Sequence, residues 1–125
     1  MSLRILVVDD NEINARLLQL SLGADGHVVR VAGTAAEARS AISEFDAGLF
    51  LLDVHLPGGD DGLTLCRELR RSGAHQKTPI IAITAFAMKG DEERALLAGC
   101  TRYLSKPIDV DALSAIIRDL SGATP

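Results

Sequence analysis

Aromatic side chains are nearly missing from this 125-residue chain: it has three Phe, one Tyr and no Trp, 3% of its residues. Surfaces that stack sugars or single-stranded bases need exposed rings, so that kind of binding is not expected. Basic charge is also short. Thirteen Lys and Arg stand against seventeen Asp and Glu, for a formal net charge of −4. No basic stretch interrupts the chain, which argues against nucleic acid as a partner. No apolar run approaches the ~20 residues of a membrane span, and the N-terminus passes straight into a strand pattern instead of a signal peptide. These absences lead us to expect a soluble, cytoplasmic chain with no membrane partner. Cysteine is scarce too. Cys66 and Cys100 are far apart in sequence and lack metal-type spacing, so both are expected reduced in helix packing, not in a disulfide or metal site.

What is present is aliphatic. Apolar residues make up 47% of the chain, a composition that suits Val, Ile and Leu strands covered by Ala- and Leu-rich helices. The length fits one domain, which at this size buries about two thirds of its unfolded surface. Strand and helix patterns alternate five times. Leu3 to Val8 is a continuous apolar run, the mark of a strand buried on both faces. After Asp9, Asp10 and Asn11, a helix repeats Ile13, Leu17, Leu18 and Leu22 and stops near Gly23 and Gly26. His27 to Ala32 reads as a second strand, and Thr34 caps a helix over Ala35 to Phe45. Gly48 to Leu52 is a strand ending at Asp53, and residues 55–62 are loop chemistry. A third helix covers Leu63 to Ser72 and a fourth strand Pro79 to Thr84. Asp91 to Ala98 is a helix closed by Gly99, and Thr101 to Leu104 a brief fifth strand. Asp109 caps a last helix through Leu120, with Val110, Leu113, Ile116, Ile117 and Leu120 on one face.

Five such units call for a doubly wound parallel sheet with right-handed crossovers. Its functional crevice lies beyond the carboxyl ends of the strands. Those ends carry Asp9-Asp10, Asp53, Thr84 and Ser105-Lys106. Two carboxylates ~4 Å apart repel by about 4 kcal/mol at an effective dielectric near 20, so gathering three at one edge needs a reason. A hard divalent cation supplies one, and oxygen-only ligands favour Mg²⁺ with positions left open for phosphate oxygens. Asp53, ending the central strand, is placed as a nucleophile that forms an acyl phosphate. Lys106, the Thr84 hydroxyl and the backbone amides of Val54 and Ala85 are candidates to neutralise the transferred group. Each residue alone has an ordinary explanation: an N-cap pair for Asp9-Asp10, a turn for Asp53, a strand end for Thr84, a solvated surface group for Lys106. Only their shared position at strand ends favours the chemical reading.

With these residues in place, the chain resembles the receiver (CheY-like) domain of two-component signalling over nearly its whole length. The matching segments are ILVVDDNEIN at 5–14, LFLLDVHLPG at 49–58, PIIAITAFAMKGDEERALLAGC at 79–100 and YLSKPID at 103–109. Residues 84–94 are similar to stand-alone cell-cycle receivers of the DivK type, and DNEIN also occurs in receivers fused to hybrid histidine kinases. The resemblance implies a flavodoxin-like five-stranded sheet of order 2-1-3-4-5 flanked by five helices, a receiver over 1–121 and a tail at 122–125. It implies that Asp53 is the phosphoacceptor, Asp10 a direct metal ligand, Asp9 a ligand through water and the His55 carbonyl the third protein ligand of Mg²⁺. Thr84 and Lys106 match the phosphate-binding pair, Lys106-Pro107 a cis peptide bond, and Tyr103 an aromatic switch that follows Thr84, with a buried edge tyrosine as the lesser alternative.

The partners implied are a sensor histidine kinase or histidine phosphotransfer protein upstream, and a target protein on the face of helix 4, strand 5 and helix 5. Homodimerisation on phosphorylation would also fit, as would a receiver cut from a larger hybrid kinase or regulator. On this view the chain is a self-modifying switch and not an enzyme acting on other substrates. One departure is a loop after Asp53, VHLPGGDDG, one residue longer than the family's usual spacing; a harmless insertion is the favoured explanation. His55 and Phe86 flank the expected water path to the phosphoryl group, though His55 reads equally as a solvent-facing loop residue. His27 and His75 suggest no site. A haloacid-dehalogenase-type phosphatase would want an acid two residues after the nucleophile, where His55 stands. A flavodoxin-type binder would want a Ser/Thr/Gly-rich loop where Asp9-Asp10 stands.

Overall fold

The computed structural model describes residues 2–56, 62–84 and 90–120. Five strands, β1 (Arg4–Val8), β2 (Val28–Ala32), β3 (Leu49–Asp53), β4 (Ile80–Thr84) and β5 (Arg102–Ser105), alternate with five helices, α1 (Glu12–Ala24), α2 (Ala35–Glu44), α3 (Gly62–Arg71), α4 (Asp91–Leu97) and α5 (Val110–Leu120). The strands form one parallel sheet in the order β2-β1-β3-β4-β5. This is the expected architecture, with element ends shifted by a residue or so. The range 122–125 expected as a tail lies outside the described residues.

Period-two alternation divides the core in two. Leu6, Val8, Phe50, Leu52, Ile80 and Ala82 face one layer, where α2, α3, α4 and the cap that follows α4 bring Ala38, Ala41, Leu65, Leu69, Ala95 and Ala98. Ile5, Val7, Leu49, Leu51, Ile81 and Ile83 face the other, where α1 and α5 bring Leu18, Leu22, Leu113 and Ile117. Strands clothed on both faces need apolar residues at every position. The whole of β3 and β4 is accordingly buried, whereas β2, at the sheet edge, is mostly half-buried.

Caps set the helix starts. The Asn11 side chain accepts from the Asn14 amide at 3.0 Å, Thr34 Oγ1 from the Glu37 amide at 3.1 Å, and Asp109 Oδ1 from the amides of Asp111 and Ala112 at 3.0 and 3.2 Å. Each supplies a partner to an otherwise orphaned N–H. Gly99, at φ +110°, turns the chain out of α4 in a conformation that L side chains rarely adopt.

In α1 the structure differs from the sequence expectation. Its buried residues are Ala15, Leu18 and Leu22, while Ile13 and Leu17, read as part of the same helical repeat, are 81% and 45% exposed, and Leu20 is 60% exposed. The helix carries leucines on two neighbouring stripes, so periodicity alone does not say which one faces the sheet. Cys66 and Cys100, distant in sequence, are also spatial neighbours: both are buried free thiols, with sulfurs 3.3 Å apart.

Candidate functional site

Three of the five strands deliver acids or a base to one edge. Asp9 follows β1 directly and is anchored by its own amide, which donates to Ala32 O at 3.0 Å. Its Oδ1 accepts from the Asn11 amide at 2.9 Å. Asp53 is the last residue of β3, and its Oδ1 accepts from the His55 amide at 2.9 Å. Lys106 comes just after β5, where its amide donates to Thr84 O at 2.7 Å. From there its Nζ reaches Asp53 Oδ2 at 3.0 Å and Asp9 Oδ2 at 3.5 Å. The first of these contacts is a hydrogen bond. Asp9 and Asp53 are buried and Asp10 is exposed.

Oxygens of Asp9, Asp10 and Asp53 all lie within 4.8 Å of one another. If all three are ionised, the Lys106 ammonium leaves two negative charges uncompensated among the described residues. The buried Asp9 Oδ2 accepts no hydrogen bond among the described residues. Burial pushes the Asp9 carboxyl above its ordinary pKa, against the pull of the Asn11 amide and Lys106 and with the help of Asp53. Lys106 shows the converse. Burial draws its pKa down, but the hydrogen bond and charge of Asp53, together with Asp9, outweigh it and hold the ammonium above its usual value. A buried carboxylate oxygen with a 3.5 Å ion pair but no hydrogen bond, two excess negative charges and a hard all-oxygen donor set fit a divalent cation such as Mg²⁺.

The other sequence-predicted residues fall around this cluster. Thr84 ends β4 and is fully buried. Tyr103 pairs with Ala82 in the sheet and packs, half-buried, on the α2–α3–α4 layer. The Lys106-Pro107 bond is cis. His55 is exposed. The Val54 amide, expected to face a phosphoryl group, is instead spent in the sheet: it donates to Ile83 O at 2.8 Å. β3 continues its ladder one residue past Asp53, and the first amide turned to the carboxylate is that of His55. Ala85, Phe86 and residues 57–61 of the longer loop lie outside the described residues.

Two participants escaped sequence reasoning. The Asn11 amide positions Asp9, a role that the N-cap geometry of α1 creates. Gly62 donates its amide to Val54 O at 3.0 Å, and any Cβ there would run into the carbonyl oxygen of Asp53. A glycine opening a helix after a loop was the only sequence signal for that close approach.

Comparison with known proteins agrees with this geometry. The family described as the response regulator receiver domain matches residues 5–118. The chain is 40% identical over 121 residues to the response regulator PleD of Caulobacter vibrioides, covering 97% of this chain and 26% of that protein. It therefore spans about a quarter of that relative's length. It is 36% identical over 122 residues to the polar-differentiation response regulator DivK of Brucella abortus, covering 98% of each. Among solved structures, the receiver domain of the sensor histidine kinase PA1611 from Pseudomonas aeruginosa superimposes with a TM-score of 0.87 at 32% identity. That match covers 98% of this chain and 99% of the other, and the neighbour holds a magnesium ion coordinated in its active-site cleft.

Proposed function

Given that this chain belongs to the response regulator receiver family of two-component signalling, we propose that Asp53 is its phosphoacceptor and that Lys106, Thr84 and Asp9-Asp10 serve that residue. The observation that carries this reading is the position of the Asp53 carboxylate. It is buried at the tip of the central strand, gripped by one backbone amide and one ammonium, inside a cluster of three acids.

A phosphohistidine on a sensor kinase or a phosphotransfer protein is the donor. An Asp53 oxygen attacks phosphorus, the P–N bond breaks, and the imidazole leaves with its electron pair while an acyl phosphate forms. Asp9, Asp10, Asp53 and the His55 carbonyl would hold Mg²⁺, which when bound neutralises charge on the phosphoryl oxygens. Lys106 keeps its ammonium across the physiological range and exchanges a carboxylate partner for a phosphoryl oxygen. The Ala85 amide and Thr84 hydroxyl offer donors to the remaining oxygens.

Phosphorylation adds a charge of about −1.5 to −2. Movement of Thr84 toward it frees space above β4 for the Tyr103 ring, which lies on the neighbouring strand opposite Ala82, two residues before Thr84. The face of α4, β5 and α5 would then differ between the two states. A target protein selects between them by differential affinity, tenfold per ~1.4 kcal/mol. A second copy of the chain is one such target. Water attack on the acyl phosphate resets the switch. The setting is the cytoplasm, in keeping with the lack of any described helix long and apolar enough to cross a membrane.

Incubation with acetyl phosphate and Mg²⁺ followed by intact mass measurement tests this. The expected result is a gain of one phosphoryl group in the native protein and none in Asp53→Asn. Phosphorylation that persists in Asp53→Asn, or steady hydrolysis of phosphomonoesters without a labelled protein, would overturn it.

A further inference from the structure

At the opposite end of β4 lies a cluster that the phosphoryl chemistry does not use. Cys66 sits on α3 and Cys100 in the turn between α4 and β5. Thirty-four residues separate them in sequence, yet the Cys100 thiol donates to Cys66 Sγ at 3.3 Å, and the Cys66 thiol donates to Ala98 O at 3.4 Å. Cys66 is fully buried and Cys100 is 6% exposed. Buried single cysteines commonly act as small hydrophobic groups. Two sulfurs in direct contact have a further option: closing the 3.3 Å between them to about 2.05 Å makes a disulfide. The surroundings favour it. The hydrogen bond from Cys100, and behind it the positive charges of Arg70 and Arg67, hold the Cys66 thiol below its ordinary pKa against the effect of burial. The same hydrogen bond, with burial, pushes the Cys100 thiol up. The contact thus pairs an acceptor sulfur, Cys66, with a proton-bearing one, Cys100.

We propose that Cys66 and Cys100 form a reversible dithiol–disulfide pair whose oxidant is hydrogen peroxide. The Cys66 thiolate attacks one peroxide oxygen and the O–O bond breaks. The departing oxygen leaves as water with the Cys66 proton, and Cys66 becomes a sulfenic acid. Cys100 sulfur then attacks Cys66 sulfur, the S–O bond breaks, and hydroxide leaves with the Cys100 proton as a second water. The two thiols lose two protons and two electrons, and hydrogen peroxide is reduced to two waters. In a reducing compartment such a bond forms transiently and is reversed by a thiol reductant. It would tie α3 to the entry of β5 and enclose β4 and α4 within the loop. The pair stands apart from Asp53, so its behaviour is independent of phosphoryl transfer.

The test treats reduced, folded protein with hydrogen peroxide, alkylates it under denaturing conditions and weighs it. The expected product is a monomer two hydrogens lighter, with neither cysteine alkylated. Its digest contains one peptide pair joining residues 66 and 100, and dithiothreitol restores both thiols. Asp53→Asn should give the same product, so the outcome does not depend on the phosphoacceptor. Cys66→Ser and Cys100→Ser should each abolish the cross-link. Because the native chain alone decides the matter, a variant that fails to fold costs nothing. The proposal falls if both thiols stay alkylatable under peroxide that fully oxidises free dithiothreitol. It falls equally if oxidation yields only sulfinic acids or intermolecular dimers.

Discussion

The two ends of the sheet hold charge in opposite ways. At the carboxyl ends of the strands, among the described residues, Lys106 faces a cluster of three acids, and the buried Asp9 Oδ2 goes without a hydrogen bond. At the amino ends, the Arg70 guanidinium is surrounded by acceptors. Nε donates to Gly99 O at 2.8 Å, Nη1 to His75 O at 3.0 Å and Thr78 O at 2.6 Å, and Nη2 to Thr101 Oγ1 at 3.2 Å. Thr101 Oγ1 in turn accepts the first amide of β4 at 3.1 Å. Beside this cluster the buried His75 makes an edge-on contact with Phe50, with ring centroids 5.0 Å apart, and its Nδ1 lies 3.0 Å from Thr78 Oγ1. One end stores unbalanced charge that a cation and a phosphoryl group can relieve. The other end has its polar groups matched in place.

On that contrast, the balanced end should be the more costly to disturb. Arg70→Ala strips the partners from three backbone carbonyls and uncovers Gly99, against which the Arg70 stem packs. The expected loss is about 3 kcal/mol of unfolding free energy, the combined effect of several orphaned partly buried acceptors. Denaturant unfolding of the native protein and the variant measures it. A loss below about 1 kcal/mol would mean that the amino end is not the anchor described here.

The two ends also differ in how much of them the sequence revealed. The acid end was readable because its residues come just after buried aliphatic runs. Leu6 to Val8, Leu49 to Leu52 and Ile80 to Ile83 have no polar position to hide, so Asp9 and Asp53 stand out as strand tips. The caps Asn11, Thr34 and Asp109 were local signals of the same kind. The Arg70 cluster gave no such signal. Its partners at 75, 78, 99 and 101 meet only after β4 and β5 pair, and three of the four acceptors are backbone carbonyls, which any residue supplies. The contact of Cys66 with Cys100 is hidden for the same reason. In α1, leucines on two stripes left the inner face open. The Val54 amide was misread because ladder hydrogen bonds depend on strand register and not on residue type.

The second prediction reverses the sign of the first. Asp9→Asn should stabilise the protein by about 1 kcal/mol when divalent cations are absent, because it removes a buried charge that lacks a full set of partners. The pH dependence provides a check. Burial raises the folded-state pKa of Asp9 above the ordinary value near 3.9, so the unfolded chain releases this proton first as pH rises. The Asp9 contribution to stability therefore falls between the unfolded and folded pKa values and is constant above the latter. Thermal unfolding in chelator should show that decline in the native protein and a flatter profile in Asp9→Asn. Added Mg²⁺ should reverse the order, stabilising the native protein by mass action and the variant much less. A variant less stable than the native protein in chelator would show that the acid end is not under charge strain.

The smallest effect tests whether bond length or surroundings explain the difference between the ends. Arg102 Nη2 and Asp119 Oδ2 are 2.7 Å apart, nearly as short as the contact of Arg70 with Thr78 O, but the side chains are 44% and 60% exposed. Water can replace either partner there, and fixing two flexible side chains offsets much of the attraction. Asp119→Asn should cost no more than about 0.5 kcal/mol, and the cost should fade as salt is raised. A loss comparable to that of Arg70→Ala would assign the strength of the amino end to short ionic contacts in general. A negligible loss assigns it to burial: the Arg70 guanidinium matters because the carbonyls it serves have no ready alternative in solvent.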